Sequence, residues 1–271
     1  MKKFITTFIF LLIFNNGESQ IIDTLVDVGG HKIHFNILKG KGLPILFESG
    51  NGDDATVWKD ILIPLHDSTQ ATLITYDRAG LGKSGIDTTN ISFKNEIKDL
   101  ENGLKKLGYF KEVFIVSHSF GSFYSSFFAY RNKSKVKGAV FIDVATPCFV
   151  TGEWSKEFVD SISLQDWKMI KQYKLGLYYV LSNFHEISIF MNDKFLNDNT
   201  PVTLIRAENI LAMVKNHEKE KWINCLKSYG TIKNHTYVVA KNSEHKVWEK
   251  NPQIVIEEIV KLYNQVSNKT D

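Results

Sequence analysis

The chain has 271 residues, 43% of them hydrophobic, which is enough to bury one sizeable core, and α/β folds of this length commonly form one domain. Lys and Arg number 33 against 30 Asp and Glu, a formal charge of +3 with both signs scattered, so no basic run points to nucleic acid as a partner. The charge balance says little about substrate, and neither internal repeats nor low-complexity tracts interrupt the chain.

Met1-Lys2-Lys3 leads into the apolar stretch Phe4 to Phe14, followed by Asn15, Asn16 and the small residues Gly17 and Ser19. That is the layout of a secretory signal peptide over residues 1–19, with Gln20 as the first mature residue. A retained anchor is the alternative, but the run is too short to span a bilayer comfortably. The expectation is an exported protein, periplasmic or secreted, with one domain over 20–271 and no stable membrane span once the signal is removed. Export implies an oxidising compartment, yet the spacing of Cys148 and Cys225 does not imply a bridge. A small buried thiol is the common alternative.

Leu25 to Val28 and Lys32 to Leu38 flank Gly29-Gly30, a dipeptide that supplies the positive φ of a tight hairpin turn. Apolar, β-rich runs follow at Pro44 to Glu48, Ala71 to Tyr76 and Val113 to Ser117. Between the last two, Phe93, Ile97, Leu100, Leu104 and Leu107 recur at helical spacing behind Ser92, a candidate cap. Further strands are expected at Val136 to Asp143, Val202 to Arg206 and Thr236 to Ala240, and Pro252 to Val266 reads as an amphipathic closing helix. Strands alternating with helices predict an α/β fold with a mostly parallel sheet of about eight strands covered on both faces. Catalytic groups in such sheets lie beyond the carboxyl ends of strands. Pro147 to Thr200 breaks the rhythm: it is helical in pattern, carries ten aromatic residues and reads as an inserted lid, at about 147–200. Most of those rings are expected to pack the lid; Trp154 and Tyr178 are candidates for substrate contact.

Ser117-His118-Ser119-Phe120-Gly121 stands where an apolar strand meets a helical segment. A serine on such a turn sits in a sharp bend that projects its Oγ clear of the sheet, and small neighbours are needed because backbone passes close to backbone. The segments around it resemble the α/β-hydrolase superfamily, in the right order and over nearly the whole mature chain. Glu48-Ser49-Gly50-Asn51-Gly52 resembles the family's loop after the third strand. Tyr76-Asp77-Arg78-Ala79-Gly80-Leu81-Gly82-Lys83-Ser84 is similar to its turn after the fourth. Asn242-Ser243-Glu244-His245, with Asn251-Pro252 and a helix behind, is similar to its histidine loop. Ser117 departs from the usual glycine at that position.

The resemblance implies a serine hydrolase of esterase or lipase type, with Ser119 as nucleophile, His245 as general base and the backbone N–H groups of Asn51 and Phe120 as the oxyanion hole. The acid is open between two residues. Many relatives carry it after the strand that is here Val202 to Arg206, but Ile210 occupies the expected place and Glu208 is the nearby substitute. Asp143, which resembles the acid of pancreatic-type lipases, is the favoured candidate; either preserves the order serine, acid, histidine. His118 is assigned to packing or substrate lining. His31 and His34 are oddly spaced on the hairpin, which argues against a metal pair, and no other metal-ligand motif appears.

This chemistry needs no cofactor, and the expected partner is a small ester-like molecule with an apolar portion. A serine at the turn argues against epoxide hydrolase or haloalkane dehalogenase chemistry, whose enzymes place an aspartate there. Hydrolysis of C–C, peptide or lactone bonds uses the same machinery. A ligand-binding scaffold without turnover is the alternative from another class, and an interaction protein at the cell surface is a third.

Overall fold

Gly29 and Gly30, at φ of 100° and 88°, close the tight turn between β1 (Ile21–Asp27) and β2 (Lys32–Leu38), conformations that would strain a side chain. The computed structural model describes residues 20–267, so the signal-peptide segment lies outside the described residues. Among those residues, no helix is long and apolar enough to cross a membrane.

The hairpin joins β3 (Lys41–Glu48), β4 (Ala71–Tyr76), β5 (Val113–His118), β6 (Val136–Ile142), β7 (Val202–Ala207) and β8 (His235–Ala240) in one eight-stranded sheet of order β1-β2-β4-β3-β5-β6-β7-β8. The β1–β2 and β2–β4 pairs are antiparallel and all others parallel. Every residue of β4, β5 and β7 is buried, as parallel strands covered on both faces must be.

Alternation along each strand divides the core between the two faces. Val113 and Ile115 of β5 point into the cluster under α2 (Phe93–Leu107), α3 (Gly121–Arg131) and α8 (Lys219–Gly230). Phe114 and Val116 point into the cluster under α1 (Lys59–Thr69) and α10 (Pro252–Ser267). The stripe anticipated in α2 is the buried one, Ser92 Oγ accepts from Asn95 N at 3.2 Å at its start, and Gly108 closes it at φ 82°.

Between β6 and β7 the chain leaves the sheet for four helices, α4 (Gly152–Asp160), α5 (Leu164–Tyr173), α6 (Leu175–Ser182) and α7 (Phe184–Phe190), which form the lid. Cys148 at its base is bonded to Cys225 of α8, so the two cysteines pair, and Phe149 and Trp222 pack edge to face beside the bridge at 4.9 Å. The bridge ties the lid's point of departure to the body of the domain.

Candidate active site

Three strand ends converge at the carboxyl edge of the sheet. β5 delivers Ser119 at φ 52°, a left-handed backbone that a non-glycine residue adopts only under local constraint. The constraint is visible: Ser119 N–H donates to Ile142 O at 3.2 Å, and Ser119 O accepts from Ala145 N at 3.2 Å and from Ser122 Oγ at 2.8 Å. A Cβ on Gly121 would stand 2.5 Å from Ser49 O, so only glycine lets α3 leave the turn this close to the neighbouring loop.

Asp143 follows β6, also at positive φ, 42°. Its N–H donates to Ile205 O at 2.7 Å and its Oδ1 accepts from Ala207 N at 3.1 Å, so β7 fixes it from the far side. Its Oδ2 stands 2.7 Å from Nδ1 of His245. Burial pushes this carboxyl above its ordinary range, and the His245 hydrogen bond opposes that. A carboxylate only accepts, so Nδ1 carries the proton and Nε2 is left with a free lone pair, the tautomer a general base requires.

Glu208 holds the histidine loop instead. It pairs with Lys241 Nζ at 2.7 Å and accepts from Asn242 N at 2.9 Å; these hydrogen bonds keep its carboxyl below the usual range. Asn209 extends the brace through Glu244 at 2.8 Å and through the backbone of Ser243 at 3.1 Å. His118 is buried, donates from Nε2 to His245 O at 3.1 Å and lies with its ring 4.4 Å from that of His245. Burial, and then the neighbouring His245, drive His118 well below the usual imidazole range, so it stays neutral and Nδ1 is bare.

Ser119, His245, Gly50, Asn51, Phe120 and His118 line one cavity of about 570 Å³. Among the described residues no hydrogen bond joins Ser119 Oγ to His245; such contacts are often loose in unliganded enzymes and tighten around substrate. The Asn51 and Phe120 amides donate to nothing within the described protein, leaving both N–H groups for a ligand. Lid and loop side chains, with Trp222 of α8, supply an apolar wall: Val150, Trp154, Phe158, Leu181 and Phe184. Tyr178 is a correction to the sequence reading. It is not among the lining residues; its ring packs on Trp167 at 5.6 Å and Tyr179 at 5.4 Å, while Leu177 and Leu181 of the same helix turn toward the cavity. His34 bonds Asp77 and Asp23 at 2.8 and 2.9 Å, and the described residues hold no cluster of three metal-ligating side chains.

A family model described as the alpha/beta hydrolase fold matches residues 44–165, the stretch that carries β3, the Ser119 turn and the first part of the lid. The chain has the α/β-hydrolase fold. The uncharacterized protein YqjL of Bacillus subtilis (strain 168) is 26% identical over 249 residues, covering 88% of this chain and 90% of that one. Among solved structures, the Cif epoxide hydrolase from Acinetobacter nosocomialis superposes with a TM-score of 0.64 at 19% identity, over 88% of each chain. A thermophilic esterase from Thermogutta terrifontis superposes with a TM-score of 0.63 at 16% identity, over 92% of this chain and all of that one. At these identities the structural likeness is one of fold.

Within this fold, sequence reasoning missed two groups at the site. Leu211, Met213 and Val214, in the loop after β7, complete the apolar wall, and nothing in their pattern marks them as such. Arg78 and Glu48 form a buried ion pair under the Asn51 loop; both lie in the quoted motifs, but charged residues are ordinarily read as exposed.

Proposed function

We propose that the protein hydrolyses a carboxylic ester or related acyl bond by acyl transfer through Ser119. The observation that carries this reading is the Asp143–His245 pair, 2.7 Å apart, opening its free Nε2 onto the cavity into which the strained Ser119 turn projects. His245 Nε2 takes the hydroxyl proton as Ser119 Oγ attacks the carbonyl carbon. The negative charge that develops on the former carbonyl oxygen is stabilised there by hydrogen bonds donated by the Asn51 and Phe120 N–H groups. His245 then passes the proton to the leaving alcohol, and water, activated by the same nitrogen, releases the acid from the acyl-enzyme. Asp143 keeps the neutral imidazole in the required tautomer and stabilises the imidazolium that forms between the two proton transfers.

The wall of Val150, Trp154, Phe158, Leu181 and Phe184 favours a substrate with an apolar portion. Epoxide opening, the chemistry named for the Acinetobacter relative, is disfavoured because a serine stands at the turn. Export is part of the proposal, and the Cys148–Cys225 bridge supports it, since such bonds persist in oxidising compartments.

A fluorophosphonate probe and chromogenic esters of graded chain length, applied to the mature protein, test the reading. Covalent label on Ser119 and turnover of an ester are expected. A folded protein whose Ser119 stays inert would favour the second reading, a ligand-binding scaffold, which draws on the missing Ser119–His245 hydrogen bond.

A further inference from the structure

Beneath the loop that carries Asn51 lies a buried charge that the scheme above does not use. Arg78 is 4% exposed and Glu48 is 2% exposed. Arg78 Nη1 donates to Glu48 Oε1 at 2.5 Å and to Ser49 O at 2.7 Å, and Nη2 donates to Gly50 O at 2.6 Å. Gly50 O also accepts from Asp53 N at 3.3 Å. Glu48 accepts a second hydrogen bond from the Tyr76 hydroxyl, and the guanidinium lies 4.5 Å over the ring of Tyr124.

A buried ion pair is poor value as a source of stability, because desolvating two charges consumes most of their attraction and well-packed apolar replacements are often equally stable. The two carbonyls that this one grips give it another use. The Gly50 carbonyl and the Asn51 N–H belong to the same peptide unit, and in a trans peptide the two bonds point in opposite directions. A donor clamped on Gly50 O from below therefore aims the Asn51 N–H upward, toward the cavity that Gly50 and Asn51 line. A full positive charge at 2.6 Å from that oxygen also draws electron density along the amide and makes its N–H a stronger donor. The second grip, on Ser49 O, stops the loop from rotating about the Gly50 backbone.

We propose that Arg78, held by Glu48, is a positioning residue that orients and polarises the Asn51 oxyanion donor. This rests on the acyl-transfer reading of the site. Glu48 supplies the neutralising charge and keeps the guanidinium plane fixed, so the positive end reaches the loop without being free to approach substrate. Lysine would be a poor substitute, because a single ammonium cannot reproduce a planar fork across two adjacent carbonyls.

The test compares wild type, Arg78→Lys and Arg78→Met for kcat and KM on a chromogenic ester, for the rate of fluorophosphonate labelling, and for the binding of a trifluoromethyl ketone, with circular dichroism as the fold control. Arg78→Met is expected to lose kcat by about 100-fold with KM within about threefold, as when one oxyanion donor is lost. Labelling and ketone binding should weaken in parallel, and Arg78→Lys should fall between. Purely structural service would lower the melting temperature and leave kcat of the folded variant unchanged, which overturns the proposal. If Arg78→Met does not fold, Arg78→Lys decides: wild-type kcat and labelling in that variant overturn it equally. An unlabelled wild-type Ser119 would defeat the acyl-transfer reading and the role of Arg78 together, whereas a labelled wild type with unaffected variants defeats the role of Arg78 alone.

Discussion

Asp143 is gripped from both sides: one carboxylate oxygen meets His245 Nδ1 at 2.7 Å and the other takes the Ala207 amide at 3.1 Å. Glu208, the other candidate acid, is committed to Lys241 and Asn242. Asp143→Asn should therefore keep the fold but permit the wrong imidazole tautomer, lowering kcat/KM by roughly 10³- to 10⁴-fold. Glu208→Gln keeps one acceptor for the Asn242 amide and should change kcat/KM by less than about fivefold, within the range of a surface substitution. Steady-state kinetics on one ester rank the two, and the reverse order would move the acid to Glu208.

Ser119→Ala and His245→Ala should each abolish nearly all turnover, by about 10⁶-fold if the residues act as a unit, and the double variant should lose little more. Circular dichroism should be unchanged in both. Additive losses in the double variant would show that the two side chains work independently.

Trp154 stacks on Phe158 with ring centroids 5.4 Å apart and planes 3° from parallel, and both line the cavity. Trp154→Ala removes part of the apolar wall, so KM for a medium-chain ester should rise by about 10-fold, the worth of one to two buried methylenes, while an acetyl ester is scarcely affected. Equal effects on short and long esters would place the acyl chain elsewhere.

The Cys148–Cys225 bridge closes a span of 77 residues that includes the whole lid. Replacing both cysteines by serine should cost about 2–4 kcal/mol and lower the melting temperature by roughly 5–15 °C. Calorimetry on oxidised and doubly substituted protein measures the difference; an unchanged transition would mean that the lid contributes nothing to global cooperativity.

Glu96, in the first turn of α2, is buried with its Oε2 on the Tyr124 hydroxyl at 2.7 Å. Burial pushes its carboxyl up to about 7, while the Tyr124 hydrogen bond pulls the other way. The folded state thus holds this proton more tightly than the unfolded chain, whose carboxyl titrates near 4.5. Its contribution to stability is intact below about 4.5, declines as pH rises, and is lost above about 7, a change on the order of 3 kcal/mol. Glu96→Gln should flatten urea-unfolding stability across that window. An equally steep pH dependence in the variant would assign the effect to another group.

Much of this architecture was legible because β4, β5, β6 and β7 are buried almost throughout on both faces and read as short apolar runs. β3 was read short, starting at Lys41 and not at Pro44, and so was β1, which starts at Ile21 and not at Leu25. Ile21 and Leu25 are 61% and 50% exposed, so this edge strand is defined by pairing with β2 and not by a buried face that periodicity could detect. Ser119 and His245 were legible from local motifs. The acid was not decided, because no local pattern states which strand end lies beside the histidine loop. Tyr178 was misplaced for a related reason: residues 177, 178 and 181 share one helix, and only tertiary packing decides which of its faces meets the cavity. Arg78 and Glu48 stand in recognisable motifs, but nothing local in the sequence shows that two charges 30 residues apart pair inside the core.

With Asp143, just after β6, as the acid of the proposed triad, the turn after β7 is left outside the proposed proton relay. Its first residues brace the histidine loop, and its later ones, Leu211, Met213 and Val214, are left to face the ligand. Substitutions there can remodel what the enzyme accepts while the reacting groups stay untouched. Natural variation or directed evolution of specificity has its least constrained ground in that short segment.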